Sequence, residues 1–195
     1  MAQQGDDDLH PEDTPGYKPP AEKSLNEILS TDADDESLVK YKQALLGGAG
    51  DSVIIFPENP KKVIVQKLAL LVEGRPDNEL DLSGDIENLK KKTFIMKEGT
   101  QYKIKIYFFV QREIVTGLKY VQSSYRKGIR VDKTNFMVGS YGPKKELQSY
   151  TTPLEDAPSG MIARGSYNVK SLFTDDDKNE HLKWEWTLEI KKDWE

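Results

Sequence analysis

Two stretches of this chain alternate apolar and polar residues with a period of two. Tyr102, Ile104, Ile106, Phe108 and Val110 alternate with Lys103, Lys105, Tyr107, Phe109 and Gln111. Leu182, Trp184, Trp186, Leu188 and Ile190 alternate with Lys183, Glu185, Thr187 and Glu189. A strand turns successive side chains to opposite faces, so each stretch must lie in a sheet with one face on a core. Weaker strand-like segments cover 63–72, 80–82, 93–97, 118–125, 136–141 and 167–173. Turn signals separate them: Arg75-Pro76-Asp77-Asn78, Lys97-Glu98-Gly99, Arg126-Lys127-Gly128, Tyr141-Gly142-Pro143 and Asp175-Asp176-Asp177-Lys178-Asn179. Many short strands at this spacing predict a mainly β fold, an immunoglobulin-like antiparallel β-sandwich.

The first quarter of the chain obeys other rules. Residues 1–50 carry 11 acidic and 4 basic side chains, whereas residues 51–195 carry 22 and 24. Only Tyr17 and Tyr41 among the aromatic residues precede residue 51. Such a segment cannot build a core of its own. Residues 1–23 read as a disordered acidic arm and 24–50 as a helical hairpin forming a regulatory arm. A linker follows at 51–62, then the sandwich at 63–195. In the hairpin, Ser24 and Glu27 fit a capping box. A second helix opens at Asp34-Asp35-Glu36 and ends at Gly47-Gly48. Its stripe of Leu38, Tyr41, Leu45 and Leu46 has no helical neighbour able to bury it, which points to burial on a partner. Helices this short, below ~12–15 residues, are marginal alone, so the hairpin is expected to form fully only on binding.

Signals for chemistry are sparse. The chain has no cysteine, which excludes disulfides, thiol catalysis and Cys-based zinc sites. Of two histidines, His10 lies in the arm and His181 reads as a surface turn residue. Gly47-Gly48-Ala49-Gly50 follows a helix rather than a strand, so it is no phosphate loop. Asp175-Asp176-Asp177-Lys178-Asn179 starts like a calcium loop but fails at Glu180 and Trp186. It reads as a hairpin turn and an acidic contact for a basic partner residue. No cofactor, metal or catalytic role is expected. Mixed charge on the body argues against nucleic acid, and no run approaches the ~18 apolar residues of a membrane span. A cytoplasmic location is expected. The aromatic residues Phe94, Tyr102, Phe108, Tyr125, Phe136, Tyr167, Trp184 and Trp186 fit either an ordinary core or one splayed at one end for a long apolar ligand.

Several segments, in order, resemble the Rho GDP-dissociation inhibitor family. They are Tyr17-Lys18-Pro19-Pro20, Asp34-Asp35-Glu36-Ser37-Leu38 with Lys40-Tyr41-Lys42 and Leu45-Leu46-Gly47, and Leu80-Asp81-Leu82-Ser83-Gly84-Asp85. Next come Arg112-Glu113-Ile114-Val115, Tyr125-Arg126-Lys127-Gly128 and Met137-Val138-Gly139-Ser140-Tyr141-Gly142-Pro143. Ala163-Arg164-Gly165-Ser166-Tyr167, Phe173-Thr174-Asp175-Asp176-Asp177-Lys178, Trp184-Glu185-Trp186 and Asp193-Trp194 complete the series. The resemblance implies a partner: a GDP-bound, prenylated Rho-family small GTPase, held by a monomer in a 1:1 heterodimer. The arm would clamp the switch regions and slow GDP release. The sandwich would bury the geranylgeranyl chain and extract the GTPase from membranes, with consequences for cytoskeleton regulation.

The resemblance also assigns residues. Asp35 and Ser37 would bond switch I, and Leu38, Tyr41, Leu45 and Leu46 would pack on the switches. Asp132 and Asp177 would contact the GTPase from the sandwich. Leu70, Phe94, Tyr102, Ile114, Tyr125, Phe136, Ile162, Val169 and Trp186 match the prenyl pocket. Glu155 and Asp156 match an acidic pair facing the partner's basic tail. Ser24 and Ser166 match positions where a phosphate would weaken the complex. The alternative is a general carrier of prenylated or acylated proteins without control of nucleotide exchange.

Overall fold

The computed structural model describes residues 9–11, 16, 27, 30–31, 34–46 and 53–194, with the side chains of Leu45 and Leu46 left aside. Among the described residues an α-helix, α1 (Glu36–Leu46), precedes a two-layer β body. The first sheet runs β2 (Asn78–Asp81), β1 (Val63–Leu71), β4 (Gln101–Val110), β7 (Gln148–Thr151), and the short β8 (Glu155–Asp156) also pairs with β4. The second sheet runs β3 (Thr93–Lys97), β10 (Glu180–Lys191), β9 (Gly165–Thr174), β5 (Val115–Arg126), β6 (Ile129–Tyr141). The two alternating stretches of the sequence are β4 and β10, one in each sheet. Their apolar faces oppose one another: Ile104, Ile106 and Phe108 are buried on one side, Trp184, Trp186 and Ile190 on the other. This is the expected sandwich, mainly β and largely antiparallel.

One pairing is parallel. β3 joins the edge of β10 with Phe94 opposite Leu188. A parallel neighbour needs a crossover rather than a hairpin. Here the whole of residues 98–179 lies between the two strands, and β3 itself is reached from β2 of the first sheet through a 3-10 turn at Ile86–Lys91, capped by Asp85 and anchored by buried Leu89. The strands β7 and β8 have too few residues to show a period and were not anticipated. β6 begins at Ile129, well ahead of the 136–141 expected.

Residues 53–62, expected as linker, are seated on the body. Gln111 is fully buried, and its Oε1 accepts from the amides of Ile55 (3.0 Å) and Phe56 (2.9 Å). Its Nε2 donates to the carbonyls of Asn59 and Lys61, each at 2.8 Å. The Arg112 amide donates to Val53 O at 2.8 Å. One side chain thus satisfies four backbone groups that would otherwise face an apolar surface.

His181 is not a surface residue. It is 6% exposed, packs near Phe173, and its Nε2 lies 2.9 Å from Asp175 Oδ2. The β9–β10 turn folds over it. Asp175 Oδ1 accepts the amides of Asp177 and Asn179 at 3.0 Å, and the Asn179 amide nitrogen reaches Oδ2 at 3.1 Å. Burial alone would raise the Asp175 pKa, but the bonds from His181 and Asn179 outweigh it and hold it below the ordinary carboxylate range. The failed calcium motif has a physical reason: its first carboxylate is committed to closing the turn.

Candidate functional site

The helix α1 is built as the sequence suggests. Asp35 is its N-cap: Oδ1 accepts from the amides of Ser37 (2.9 Å) and Leu38 (3.2 Å). Lys42 donates from its ammonium to Thr31 O, and the Thr31 amide donates to Glu27 O at 3.0 Å. This ties the helix to the preceding turn. Asp35 and Ser37 are exposed, and Leu38 and Tyr41 are 39% and 53% exposed. These apolar side chains stand in solvent on a capped helix. Leu45 and Leu46 belong to α1, but their side chains lie outside the described residues, as does all of Ser24.

The aromatic interior is most polar where β4 begins. Leu70, Phe94, Tyr102, Phe136, Val169 and Trp186 belong to one contiguous buried cluster. Phe94 meets Trp186 edge-on at 5.4 Å, and Tyr120 stacks between Phe136 (6.0 Å) and Trp184 (5.9 Å). A polar seam runs through these rings. Ser171 Oγ lies 3.0 Å from Tyr120 Oη and accepts from Trp186 Nε1 at 3.1 Å, while Tyr120 Oη donates to Gln122 Oε1 at 2.8 Å. Tyr102 Oη donates to Glu155 Oε2 at 3.1 Å. Burial pushes both phenol pKa values well above the ordinary tyrosine value. Tyr120, Gln122 and Ser171 were not assigned to the site from sequence, whereas Trp184 was among the aromatic residues expected in this interior. The signal for Ser171 was present: Tyr167, Val169, Ser171 and Phe173 share the inward parity of β9.

Glu155 and Asp156 stand on β8 at the rim of this interior. Asp156 is exposed and accepts from Gln101 Nε2 at 3.1 Å. Glu155 is half-buried, and its Oε1 is enclosed with no hydrogen-bond partner. Burial raises its pKa, the Tyr102 bond opposes that, and the negative charge of Asp132 adds to the rise. Asp132 is exposed on the edge strand β6, bonded to Thr134 Oγ1 at 3.1 Å. Two acids therefore share one end of the interior, from opposite sheets. Asp177 is exposed in the β9–β10 turn, at the other end of the sandwich.

Three assigned lining residues fall outside the buried cluster. Ile114 is buried, but in the loop after β4, opposite the acidic end. The Tyr125 ring lies 5.2 Å from the Lys170 ammonium, on the outer side of the second sheet. Ile162 is 88% exposed beside Met161, 81% exposed, on the loop leading into β9. That loop is braced from beneath. Arg164 pairs with Glu98 through Nε–Oε2 (2.9 Å) and Nη2–Oε1 (2.7 Å), Glu98 also accepts the Gly160 amide at 2.9 Å, and Arg126 donates to Ile162 O and Arg164 O. Two apolar side chains are held out at the acidic end by a fixed scaffold. Ser166 is exposed at the start of β9, opposite Glu189.

An open cleft of about 470 Å³ lies elsewhere, on the outer face of the first sheet, lined by Gln66, Lys67, Glu79, Asp81, Lys92 and Leu147 among others. It contains none of the assigned residues, and Lys67 bonds Glu79 across it at 2.6 Å. Among the described residues, no group of His, Cys, Asp and Glu is placed to hold a metal ion, and no helix is long and apolar enough to cross a membrane.

Comparison with known proteins bears on the whole chain. A family model described as RHO protein GDP dissociation inhibitor matches residues 2–193. Rho GDP-dissociation inhibitor 1 of Homo sapiens and that of Rattus norvegicus are each 54% identical over 195 residues, covering all of this chain and 93% of theirs. Rho GDP-dissociation inhibitor 3 of Homo sapiens is 50% identical over 189 residues, 96% of this chain and 83% of that one. Among solved structures, a Niemann-Pick type C2 protein from the Japanese carpenter ant aligns with a TM-score of 0.41 at 10% identity, over 71% of this chain and all of that one. With a family match spanning arm and sandwich alike, this chain belongs to the Rho GDP-dissociation inhibitor family.

Proposed function

We propose that the protein binds GDP-loaded, prenylated Rho-family GTPases 1:1, slows their GDP release and withdraws them from membranes. It acts by binding, in the cytoplasm, and performs no chemistry. The observation that carries the reading is that the family match includes the arm, where α1 is capped yet presents Leu38 and Tyr41 to solvent. A general lipid carrier has no use for such a helix. Leu38, Tyr41, Leu45 and Leu46 would cover the switches, with Asp35 and Ser37 bonding switch I. Stabilising the closed switches is enough to slow nucleotide loss.

The sandwich would take the lipid. A geranylgeranyl chain of about 20 carbons carries a gross transfer term on the order of 16 kcal/mol at ~0.8 kcal/mol per CH₂. Only an interior site competes with a bilayer for that. The cluster around Phe94, Tyr102, Phe136, Val169 and Trp186 supports an entry at its acidic end. There Ile162 and Met161 would form an apolar lip, and Glu155 and Asp156 would attract the basic tail next to the lipid. Asp132 and Asp177 would add contacts from the body. A phosphate on Ser166 would face Glu189 and stand near that lip, so it would weaken the complex.

The test is release of fluorescent GDP from prenylated Rho-family GTPases, with and without the protein. Slowing that disappears when residues 1–50 are removed supports the clamp. No slowing for any member overturns the reading.

A further inference from the structure

The outer face of the second sheet has an apolar depression that the sheet itself does not fill. Val121 and Leu172 are partners in the β5–β9 register. Their neighbours Tyr120 and Phe173 point into the core, so Val121 and Leu172 point away from it. Such residues should be wet, yet both are 0% exposed. Leu9 covers them. It is 1% exposed, and the three form an apolar cluster separate from the core. His10 is held at two further points. Its carbonyl accepts from Lys133 Nζ at 2.9 Å, and its Nε2 lies 3.1 Å from Glu180 Oε1. Leu9 thus rests on β5 and β9, while His10 is gripped by β6 and β10.

We infer that this depression is a leucine-receiving latch for the chain's own N-terminal segment, and that the arm is thereby a loop fixed at both ends. The other end is the seat at Val53, held by Arg112 and followed by the Gln111 contacts. Residues 12–52, with α1 among them, span the two anchors. Closing a loop in this way confines the volume the helix explores and raises its effective concentration near the body. The occupant suits its site in charge as well as shape. Asp6, Asp7 and Asp8 precede Leu9 in the sequence and Glu12 and Asp13 follow it, while Lys133 on the same outer face donates to the His10 carbonyl; Lys119 and Lys170 there are engaged by Asp176 (2.6 Å) and Glu185 (3.9 Å). The inference rests on contacts within this chain, independently of the clamp and prenyl assignments.

The absence of native cysteine makes a direct test simple. A nitroxide on Gln3→Cys in the full-length chain should broaden the amide signals of Val121, Ser123, Lys133 and Leu172, cutting intensity at least twofold. Lys103 and Lys105, on the outer face of the first sheet, should be unaffected. Leu9→Ser and Lys133→Glu should each reduce the broadening at least fivefold, and Leu9→Met should retain it. Equal broadening of both sheets, or broadening that survives Leu9→Ser, overturns the latch. Because the GTPase takes no part in this experiment, its outcome is separate from that of the GDP-release assay.

Discussion

Asp35 is expected to contact switch I, but it also caps α1, and the two roles can be separated. The cap consists of bonds to the Ser37 amide (2.9 Å) and the Leu38 amide (3.2 Å). The helix has 11 residues, short of the ~12–15 at which an isolated helix becomes marginal. Its apolar side chains, 39% exposed at Leu38 and 53% at Tyr41, lend it little packing. Loss of a cap costs about 1 kcal/mol, which is roughly a fivefold fall in helix population. Asp35→Ala should therefore weaken affinity for a GDP-loaded prenylated GTPase about fivefold through the helix alone, and further through the lost contact. Asp35→Asn caps nearly as well and gives up only about 0.5 kcal/mol of charge–dipole attraction, besides any charge in the contact. Hydrogen exchange at Ser37 and Leu38 in the free, full-length protein reads the cap; fluorescent-GDP release reads the complex. The expected order of exchange rates is wild type, then Asp35→Asn, then Asp35→Ala. If Ala and Asn accelerate exchange equally, the cap is not what limits the helix and the reasoning fails.

Other perturbations follow from the buried polar groups. Burial raises the folded-state pKa of Glu155 above its unfolded value, so the fold loses stability as pH rises through that value. Glu155→Gln should raise the melting temperature at pH 7, flatten its pH dependence, and slow association with the GTPase at low salt; a lower melting temperature would contradict the assignment. Asp175 is the opposite case, held low, so its contribution is present above the ordinary value of 3.8 and is lost as pH falls through the depressed folded value. Asp175→Ala should cost about 3 kcal/mol in urea unfolding at pH 7 and blunt the acid limb. Gln111→Ala strips the Ile55 and Phe56 amides and the Lys61 carbonyl of this partner, leaving Asn59 O to Arg112, and should cost about 2 kcal/mol, with proteolytic cleavage appearing between residues 53 and 62.

How much of this was legible in the sequence depends on the range of the interaction. The strands β4 and β10 were clear because period-two alternation is local and both bury one face. β7 and β8 were not, because strands of four and two residues carry no period and exist only by pairing with β4. The cap at Asp35 was foreseeable from its place before an amphipathic run. The burial of His181 was not: a histidine beside a turn looks exposed until the turn is known to close over Asp175. Leu9 illustrates the same limit. A lone leucine among aspartates gives no local reason to dock, and its site is assembled from four strands distant in sequence. Ile162 shows the converse, since an apolar residue matched to a lipid site stands in solvent on a braced loop.

The interior that would receive the lipid is held together in a way that would let a hydrocarbon chain enter without unfolding. Backbone ladders tie each sheet within itself, whereas side chains supply the packing between β6 on one sheet and β4 and β8 on the other. Apolar walls such as Val169 and Phe136 can exchange contact with each other for contact with a hydrocarbon chain at little net change in buried area. The seam of Tyr120, Ser171 and Trp186 is satisfied by its own hydrogen bonds and would keep them meanwhile. Filling the space should therefore block entry specifically. Val169 is fully buried opposite Trp186, and Val169→Met adds bulk there at about 1–3 kcal/mol of overpacking. Extraction of prenylated GTPase from liposomes should fall at least tenfold, while affinity for the unprenylated GTPase, which would rest on α1, stays within twofold. Unchanged extraction by a folded Val169→Met protein would mean that the chain enters elsewhere than between Phe94, Val169 and Trp186.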